Sequence, residues 1–207
     1  MTEAAPPRAT TGAWLWLAGV MVAMIALPAW VPSVWLRMAA IEGVAAVLAL
    51  RWLPLPWRAL LRPPPRELLL GLLGALVLWM LGKAATVMLR GTDLLAQTQS
   101  IYAWTEQLPM PAVVVLLPFI TVAEDIVWRG GATWLLAQRM PWWSAAPIAG
   151  LLFALAHLGS GPAVLLLAAF ACGTLWSALA LRRGGLAAVF TMHLAWDVLV
   201  LFVARYE

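Results

Sequence analysis

Acidic residues and histidines occur at helical spacing at three places in the second half of this 207-residue chain. An acidic pair is followed four residues later by an arginine, and each of the two histidines has an aromatic or acidic neighbour four residues away. Carboxylate and imidazole groups are the common general acids and bases of enzymes, so the patterns indicate proton-transfer chemistry. The residues concerned are Glu124, Asp125, Arg129, Phe153, His157, His193 and Asp197.

The acidic pair has one member with a local partner. Asp125 and Arg129 are four residues apart, so on a helix they can form an ion pair on one face. Glu124 lies about 100° around the helix from Asp125 and need not be neutralised by the same arginine. This arrangement leaves Glu124 available for proton transfer. The alternative is a structural ion pair buried between helices.

The two histidines lie on different predicted helices. His193 and Asp197 share one helix face, where a carboxylate can fix the tautomer and orientation of the imidazole. Phe153 and His157 share a face in the same way. For either histidine alone, a hydrogen bond between helices is the alternative role. Glu124 and both histidines lie at similar depths in three apolar segments, which permits them to converge.

The composition places these residues in a membrane. Of the residues, 64% are hydrophobic and only 11% are charged, whereas soluble domains average about a quarter charged. A soluble globule of this length could not bury so much apolar surface. The composition therefore excludes a soluble enzyme, a disordered chain and a nucleic-acid-binding domain.

Apolar segments of about 20 residues predict an all-α, polytopic membrane helix bundle with about seven transmembrane helices. Residues 1–207 form a single integral membrane domain in this interpretation, and the first span is not cleaved. The fourth span is too long for a straight crossing and is expected to be tilted, kinked or broken. Before it, the polar segment 91–108 is expected to form a short interfacial helix. The predicted spans are 13–31, 34–53, 67–89, 110–138, 142–158, 162–181 and 185–204.

Arginines in the short connections predict the orientation, because positive loops stay in the cytoplasm. The connection 51–66 holds four arginines, and Arg139 and Arg182-Arg183 mark the two other connections on that side. The opposite connections, at 32–33, 90–108 and 159–161, hold a single arginine. The N-terminus is therefore predicted to be cytoplasmic and the C-terminus to lie outside. The expected location is a bacterial inner membrane.

Two further features of the spans favour structural roles. In the sixth span, small residues recur every four positions and would let a neighbouring helix approach closely. The only cysteine lies in the same span and is interpreted as a small buried hydrophobe. Four other ionisable residues are interpreted as structural or interfacial. The small residues are Ala169, Gly173 and Ser177, and the cysteine is Cys172. The four ionisable residues are Arg37, Glu42, Glu67 and Lys83.

The three motifs together resemble the CPBP family of intramembrane proteases, which includes the CAAX-prenyl endopeptidases of the Rce1 type and bacteriocin-processing proteins. Residues 124–129 resemble the family pattern Glu-Glu-x-x-x-Arg, 153–157 resemble Phe-x-x-x-His, and 193–197 resemble His-x-x-x-Asn or Asp. The similar region is 110–204, nearly half of the chain. The resemblance implies that the fourth, fifth and seventh spans form the catalytic core.

The resemblance also implies roles for these residues in a glutamate-dependent peptidase. Glu124 would be the general base that activates a water, with His157 sharing that task. His193 and the residue at 197 would stabilise the oxyanion, and Arg129 would hold Asp125. Asp125 stands where the family has a second glutamate. Since many members have Asn in place of Asp197, this residue is either protonated or only orients His193.

The predicted function is that of an intramembrane endopeptidase acting on a membrane-associated protein or peptide. A C-terminal sorting tail or CAAX-like tail is the favoured substrate, as in the myxosortase-like bacterial branch of the family. No cofactor, metal or nucleic acid is expected, and the lipid bilayer is the expected surroundings. Two alternatives remain. One is a zinc-dependent intramembrane protease that uses both histidines and a carboxylate. The other is a scaffold or transporter without catalysis.

Overall fold

The computed structural model describes residues 9–27, 30–159 and 161–206, and this part of the chain is helical with no β-strand. The end of the predicted first span (Pro28 and Ala29) and Ser160 in the predicted connection 159–161 lie outside the described residues. The α-helices are α1 Thr11–Ala26, α2 Val34–Trp52, α3 Trp57–Leu60, α4 Pro65–Met88, α5 Asp93–Ala96, α6 Thr98–Tyr102, α7 Met110–Glu124, α8 Thr133–Ala137, α9 Trp142–Ala156, α10 Ala163–Arg183 and α11 Ala187–Val198.

A long helix lies in each of the seven predicted spans, and the all-helical class is confirmed. Among the described residues, three helices are long and apolar enough to cross a membrane: Pro65–Met88, Met110–Ala137 and Ala163–Arg183. Thr11–Ala26, Trp142–Ala156 and Ala187–Val203 are apolar but shorter. The count of seven spans therefore stays a prediction.

The fourth span is continuous, with a change of helix type in its middle. Residues Asp125–Ala132 form a π-helix between α7 and α8, and Thr133 Oγ donates to the carbonyl of Trp128, 2.7 Å away. Two glycines follow the arginine here, and large side chains pack where a Cβ would lie: Trp57 against Gly130 and Trp16 against Gly131. π-Helical turns are rare and are frequent at functional sites.

The fifth and sixth spans pack closely, as the stripe of small residues predicts. A Cβ added to Gly150 of α9 would lie 2.6 Å from the backbone nitrogen of Thr174 on α10. A Cβ on Gly173 would lie 3.1 Å from the Cα of Gly150. Ser177 continues the stripe and lies 2.9 Å from the hydroxyl of Thr133 on α8. These contacts fix α9 and its C-terminal histidine against the rest of the bundle.

The polar connection before the fourth span forms several short helices instead of one. We call residues 92–107 the covering segment, which contains α5, α6 and a 3₁₀ turn at Ala103–Glu106. Gln97 Oε1 accepts from the backbone nitrogen of Val164 at 3.2 Å, and Gln107 Oε1 accepts from that of Val34 at 2.9 Å. The covering segment thus satisfies free amides at the first turns of α10 and α2.

The other intramembrane charges have structural contacts. Glu67 forms a two-point ion pair with Arg183, at 2.5 and 3.0 Å, and Lys83 donates to the backbone carbonyl of Arg205. Arg37 donates to the carbonyl of Val31 at 3.0 Å. These contacts fit the structural roles that the sequence favours.

Candidate active site

The site is built around Glu124, the last residue of α7. Its Oε1 lies 4.0 Å from His157 Nε2, and its Oε2 lies 3.6 Å from His193 Nε2. All three side chains are buried, with 4–7% of each residue exposed. The predicted convergence of three helices is therefore present in the structure. Since both distances exceed a direct hydrogen bond, a water molecule can bridge either gap.

His157 is held by the backbone of its own helix. Its Nδ1 lies 2.8 Å from the carbonyl oxygen of Phe153, one helical turn earlier. A carbonyl can only accept, so Nδ1 bears the hydrogen, and in the neutral ring Nε2 is left with a free lone pair directed at Glu124. The Phe153 ring meets the imidazole edge-on, with ring centroids 4.7 Å apart. This contact places Phe153 and His157 on one face, as the sequence predicts.

His193 is held by a carboxylate from a different helix. Its Nδ1 lies 3.2 Å from Asp125 Oδ1, so Nδ1–H donates to that oxygen. Its Nε2 lies 3.6 Å from Asp197 Oδ2 as well as from Glu124. The sequence pairs His193 with Asp197, four residues away, whereas the hydrogen bond that orients the ring is donated to Asp125. Glu124 and Asp125 lie where α7 passes into the π-helical turn, and both contact the His193 ring.

Arg129 connects the surroundings of the two histidines. Its Nη1 lies 3.2 Å from Asp125 Oδ1, and neither side chain is exposed. The guanidinium lies 4.0 Å from the ring centroid of Phe153 and 4.7 Å from that of Trp176. Phe153 contacts His157, and the ring of Trp176 lies 4.0 Å from His193. Arg129 therefore supports both rings that pack on the histidines, in addition to its predicted pairing with Asp125.

Asp197 lies at the edge of the cluster. Its side chain is 19% exposed, more than that of any other acid or histidine in the group. The hydroxyl of Thr121 on α7 lies 3.4 Å from its Oδ2 and also 2.9 Å from the carbonyl of Leu117. The contact with Thr121 is a second anchor for Asp197 that the sequence pattern does not reveal.

Three further residues lie at the site, although the sequence did not assign them to it. Trp176 and Thr121 have no pattern of their own, because a tryptophan or threonine within a span is ordinary. Glu42 is fully buried and accepts from Trp128 Nε1 at 2.9 Å. It lies within electrostatic range of Glu124. Its intramembrane charge was a signal, but nothing in the sequence relates it to the fourth span.

A cavity of about 220 Å³ connects the cluster to one end of the bundle. Glu124, His157, His193 and Asp197 lie at its floor, and Trp176 and Cys172 are beside them. Most other residues that line it are aliphatic or aromatic. These include Val34, Trp35, Met38, Ile101, Leu117, Ile120, Leu165 and Val200. Such a cavity can bind an apolar chain segment and exclude bulk water from the carboxylate.

The described residues contain no group of three His, Cys, Asp or Glu side chains with the geometry to hold a metal ion. Cys172 is buried, as expected for a small hydrophobe.

Comparison with known families gives a match for the part of the chain that contains the three motifs. Residues 106–199 match the family model described as type II CAAX prenyl endopeptidase Rce1-like. This region, nearly half of the chain, is similar to that family. The match includes all three motifs and agrees with the resemblance found from the sequence. Neither the comparison with curated proteins nor that with solved structures gave a match. The matched family is one of endopeptidases, and the long apolar helices of this chain are consistent with a membrane setting.

Proposed function

We propose that this protein is a glutamic-type intramembrane endopeptidase. One observation supports the proposal most strongly. The two oxygens of Glu124 each face the Nε2 atom of a different histidine, and all three buried side chains line one cavity. A carboxylate between two imidazoles can take up and return a proton, which hydrolysis of a peptide bond requires.

In the proposed first step, a water molecule binds between Glu124 and His157. Glu124 takes one proton from it, while the free lone pair of His157 Nε2 accepts a hydrogen bond from its other O–H group. The oxygen of this water then forms a bond with the carbon of the scissile carbonyl. The carbonyl of Phe153 keeps the His157 ring in the tautomer that this step needs. The observed gap of 4.0 Å between the two side chains suits a bridging water.

In the proposed second step, the tetrahedral intermediate breaks down. His193, protonated on both ring nitrogens, donates from Nε2 to the oxyanion while Nδ1–H remains bound to Asp125. The bond between carbon and nitrogen then breaks, and Glu124 returns its proton to the leaving amine. Asp125 positions His193, and Arg129 positions Asp125. Asp197 contacts the same Nε2 edge and is proposed to align His193 from the open side.

We propose an apolar, membrane-associated polypeptide as the substrate, such as a C-terminal sorting tail or CAAX-like tail. The aliphatic and aromatic lining of the cavity supports this class, since charged side chains would be desolvated there without a partner. The proposed location is a bacterial inner membrane with the N-terminus in the cytoplasm.

The decisive experiment compares the protein termini of host cells that express the parent chain or Glu124→Gln at matched abundance. We expect a set of proteins to keep an uncut tail or leader only with Glu124→Gln. Glu106→Gln is the matched control, because it makes the same chemical change at an exposed residue of the covering segment. If termini are identical for Glu124→Gln and the parent chain while a substrate is present, the peptidase proposal is wrong and a scaffold or transporter is favoured.

The zinc-dependent alternative is tested with the purified protein and a substrate found in that comparison. A glutamic-type peptidase should keep its activity after treatment with a chelator and should contain no stoichiometric zinc. Loss of activity with the chelator and its recovery with zinc would instead identify a metalloprotease.

A further inference from the structure

The cavity reaches the surface at one particular end of the bundle. Its outer part is lined by the start of α2, the covering segment, the start of α10 and the end of the chain. Representative residues are Trp35, Ile101, Leu165 and Tyr206. Each of these four parts lies next to an arginine-poor connection or at the C-terminus. The sequence predicts that all of these lie on the same side of the membrane.

The arginine-rich connections lie at the opposite end. Among the described residues, a second concave region is lined by Arg62, Pro63–Glu67 and Arg183–Gly185. It joins the 51–66 connection to the Arg182-Arg183 connection, and neither contributes a residue to the catalytic cavity. Since positive connections remain in the cytoplasm, this end of the bundle is the cytoplasmic one.

We infer that the catalytic cavity opens on the non-cytoplasmic side of the membrane and there binds an uncharged, apolar segment of the substrate. The inference rests on the proposed peptidase function and adds the side of cleavage and the surface that binds the substrate. The scissile bond enters from the outer face and passes beneath the covering segment to Glu124. Glu124 lies 14 residues after Met110, or about 21 Å along the helix axis from the covering segment.

The contacts of the covering segment support its place over the cavity. Trp35 Nε1 donates to the carbonyl of Trp104 at 2.7 Å, and both residues line the cavity. The backbone nitrogen of Tyr206 donates to the Tyr102 hydroxyl at 2.6 Å. Together with the contacts of Gln97 and Gln107 on α10 and α2, these bonds hold the segment across the opening.

Labelling of single introduced cysteines tests the orientation without any need for activity. Ser100→Cys places a thiol on the exposed side of the covering segment, and Ala59→Cys places one at the arginine-rich end without removing an arginine. We expect a membrane-impermeant maleimide to label Ser100→Cys in intact spheroplasts and Ala59→Cys only after permeabilisation. The parent chain measures the background from the buried Cys172. The reverse labelling pattern would overturn the inference.

Blocking the cavity tests the binding surface. Ile101→Cys places the thiol in the cavity lining, one residue from the exposed Ser100. We expect the impermeant maleimide to reduce cleavage by Ile101→Cys at least tenfold in spheroplasts and to leave cleavage by Ser100→Cys unchanged. Unchanged cleavage by a fully labelled Ile101→Cys would overturn the binding surface. If no variant and no parent chain cleaves anything, the binding surface falls with the proposed function, while the labelling pattern still decides the orientation.

Discussion

Both histidines face Glu124, but their Nδ1 atoms are bound to different kinds of group. Both present Nε2 to Glu124, at 4.0 Å for His157 and 3.6 Å for His193. The Nδ1 atom of His157 is bound to a neutral backbone carbonyl, whereas that of His193 is bound to the carboxylate of Asp125. A carbonyl fixes the tautomer and adds no charge, while a carboxylate also stabilises a protonated ring. The difference suits His157 to accept a hydrogen bond and His193 to donate one.

The groups bound to the two Nδ1 atoms also differ in their distance along the chain from the histidine. The partner of His157 is in the same helical turn, so α9 alone holds the ring. The partner of His193 belongs to another helix and is the first residue of the π-helical turn, Asp125. Local contacts therefore fix one histidine, and tertiary packing fixes the other. Substitutions that separate the two sides test this comparison.

The largest expected effect comes from replacing each histidine in turn with glutamine. Glutamine can donate a hydrogen bond but cannot act as a base. His157→Gln should therefore remove the basic lone pair that assists Glu124 in activating the water, and lower the cleavage rate by about 10²–10⁴-fold, the range of general acid–base catalysis. His193→Gln keeps a donor and should lose less. Cleavage rates at matched abundance measure the difference, and equal losses or the reverse order would contradict the assigned roles.

The support of His193 should fail when its carboxylate partner is removed. Asp125→Asn leaves Arg129 fully buried without its charged partner, which should cost about 3–5 kcal/mol of stability. The fraction of protein that stays folded after heating in detergent measures this loss. Asp125→Glu keeps the charge and is the matched control. If Asp125→Asn is as stable as the parent chain, the ion pair is not needed to hold the cluster.

The position of His157 relative to Glu124 should change when α9 is moved away from α10. Gly150→Ala puts a methyl group against backbone atoms of α10 and should cost about 1–3 kcal/mol, with a lower cleavage rate. Gly19→Ala is the control, because nothing lies within 4 Å of the added Cβ on α1. Thermal survival and cleavage rate measured together check the prediction. A Gly150→Ala variant indistinguishable from Gly19→Ala would show that this close approach does not position His157.

The smallest expected effect comes from removing the Thr121 hydroxyl, which contacts Asp197 beside His193. Thr121→Val removes the hydroxyl near Asp197, which should cost about 0.5–1.5 kcal/mol and at most about tenfold in rate. Thr86→Val is the matched control, since the Thr86 hydroxyl donates to the Lys83 carbonyl of its own helix and lies outside the cavity lining. A rate loss much greater than tenfold for Thr121→Val would give Asp197 a larger role than alignment.

The sequence predicts the parts of the site that depend on helical period. Asp125 with Arg129 and Phe153 with His157 are both four residues apart, and both pairs are in contact. His193 and Asp197 are also four apart, but their nearest nitrogen and oxygen atoms are 3.6 Å away, beyond a hydrogen bond. The pattern could not foresee the stronger partner, because Asp125 reaches His193 from 68 residues away along the chain.

Composition and periodicity by themselves determined the helical class, the membrane setting, the candidate site residues and the close packing of the sixth span. These properties follow from apolar content and from spacing along a single helix. Only the tertiary structure decided which carboxylate holds His193, that Arg129 lies near both Phe153 and Trp176, and that the covering segment lies over the cavity. Those contacts join helices distant in sequence, and their geometry depends on a π-helical turn and on interhelical packing that no spacing rule encodes.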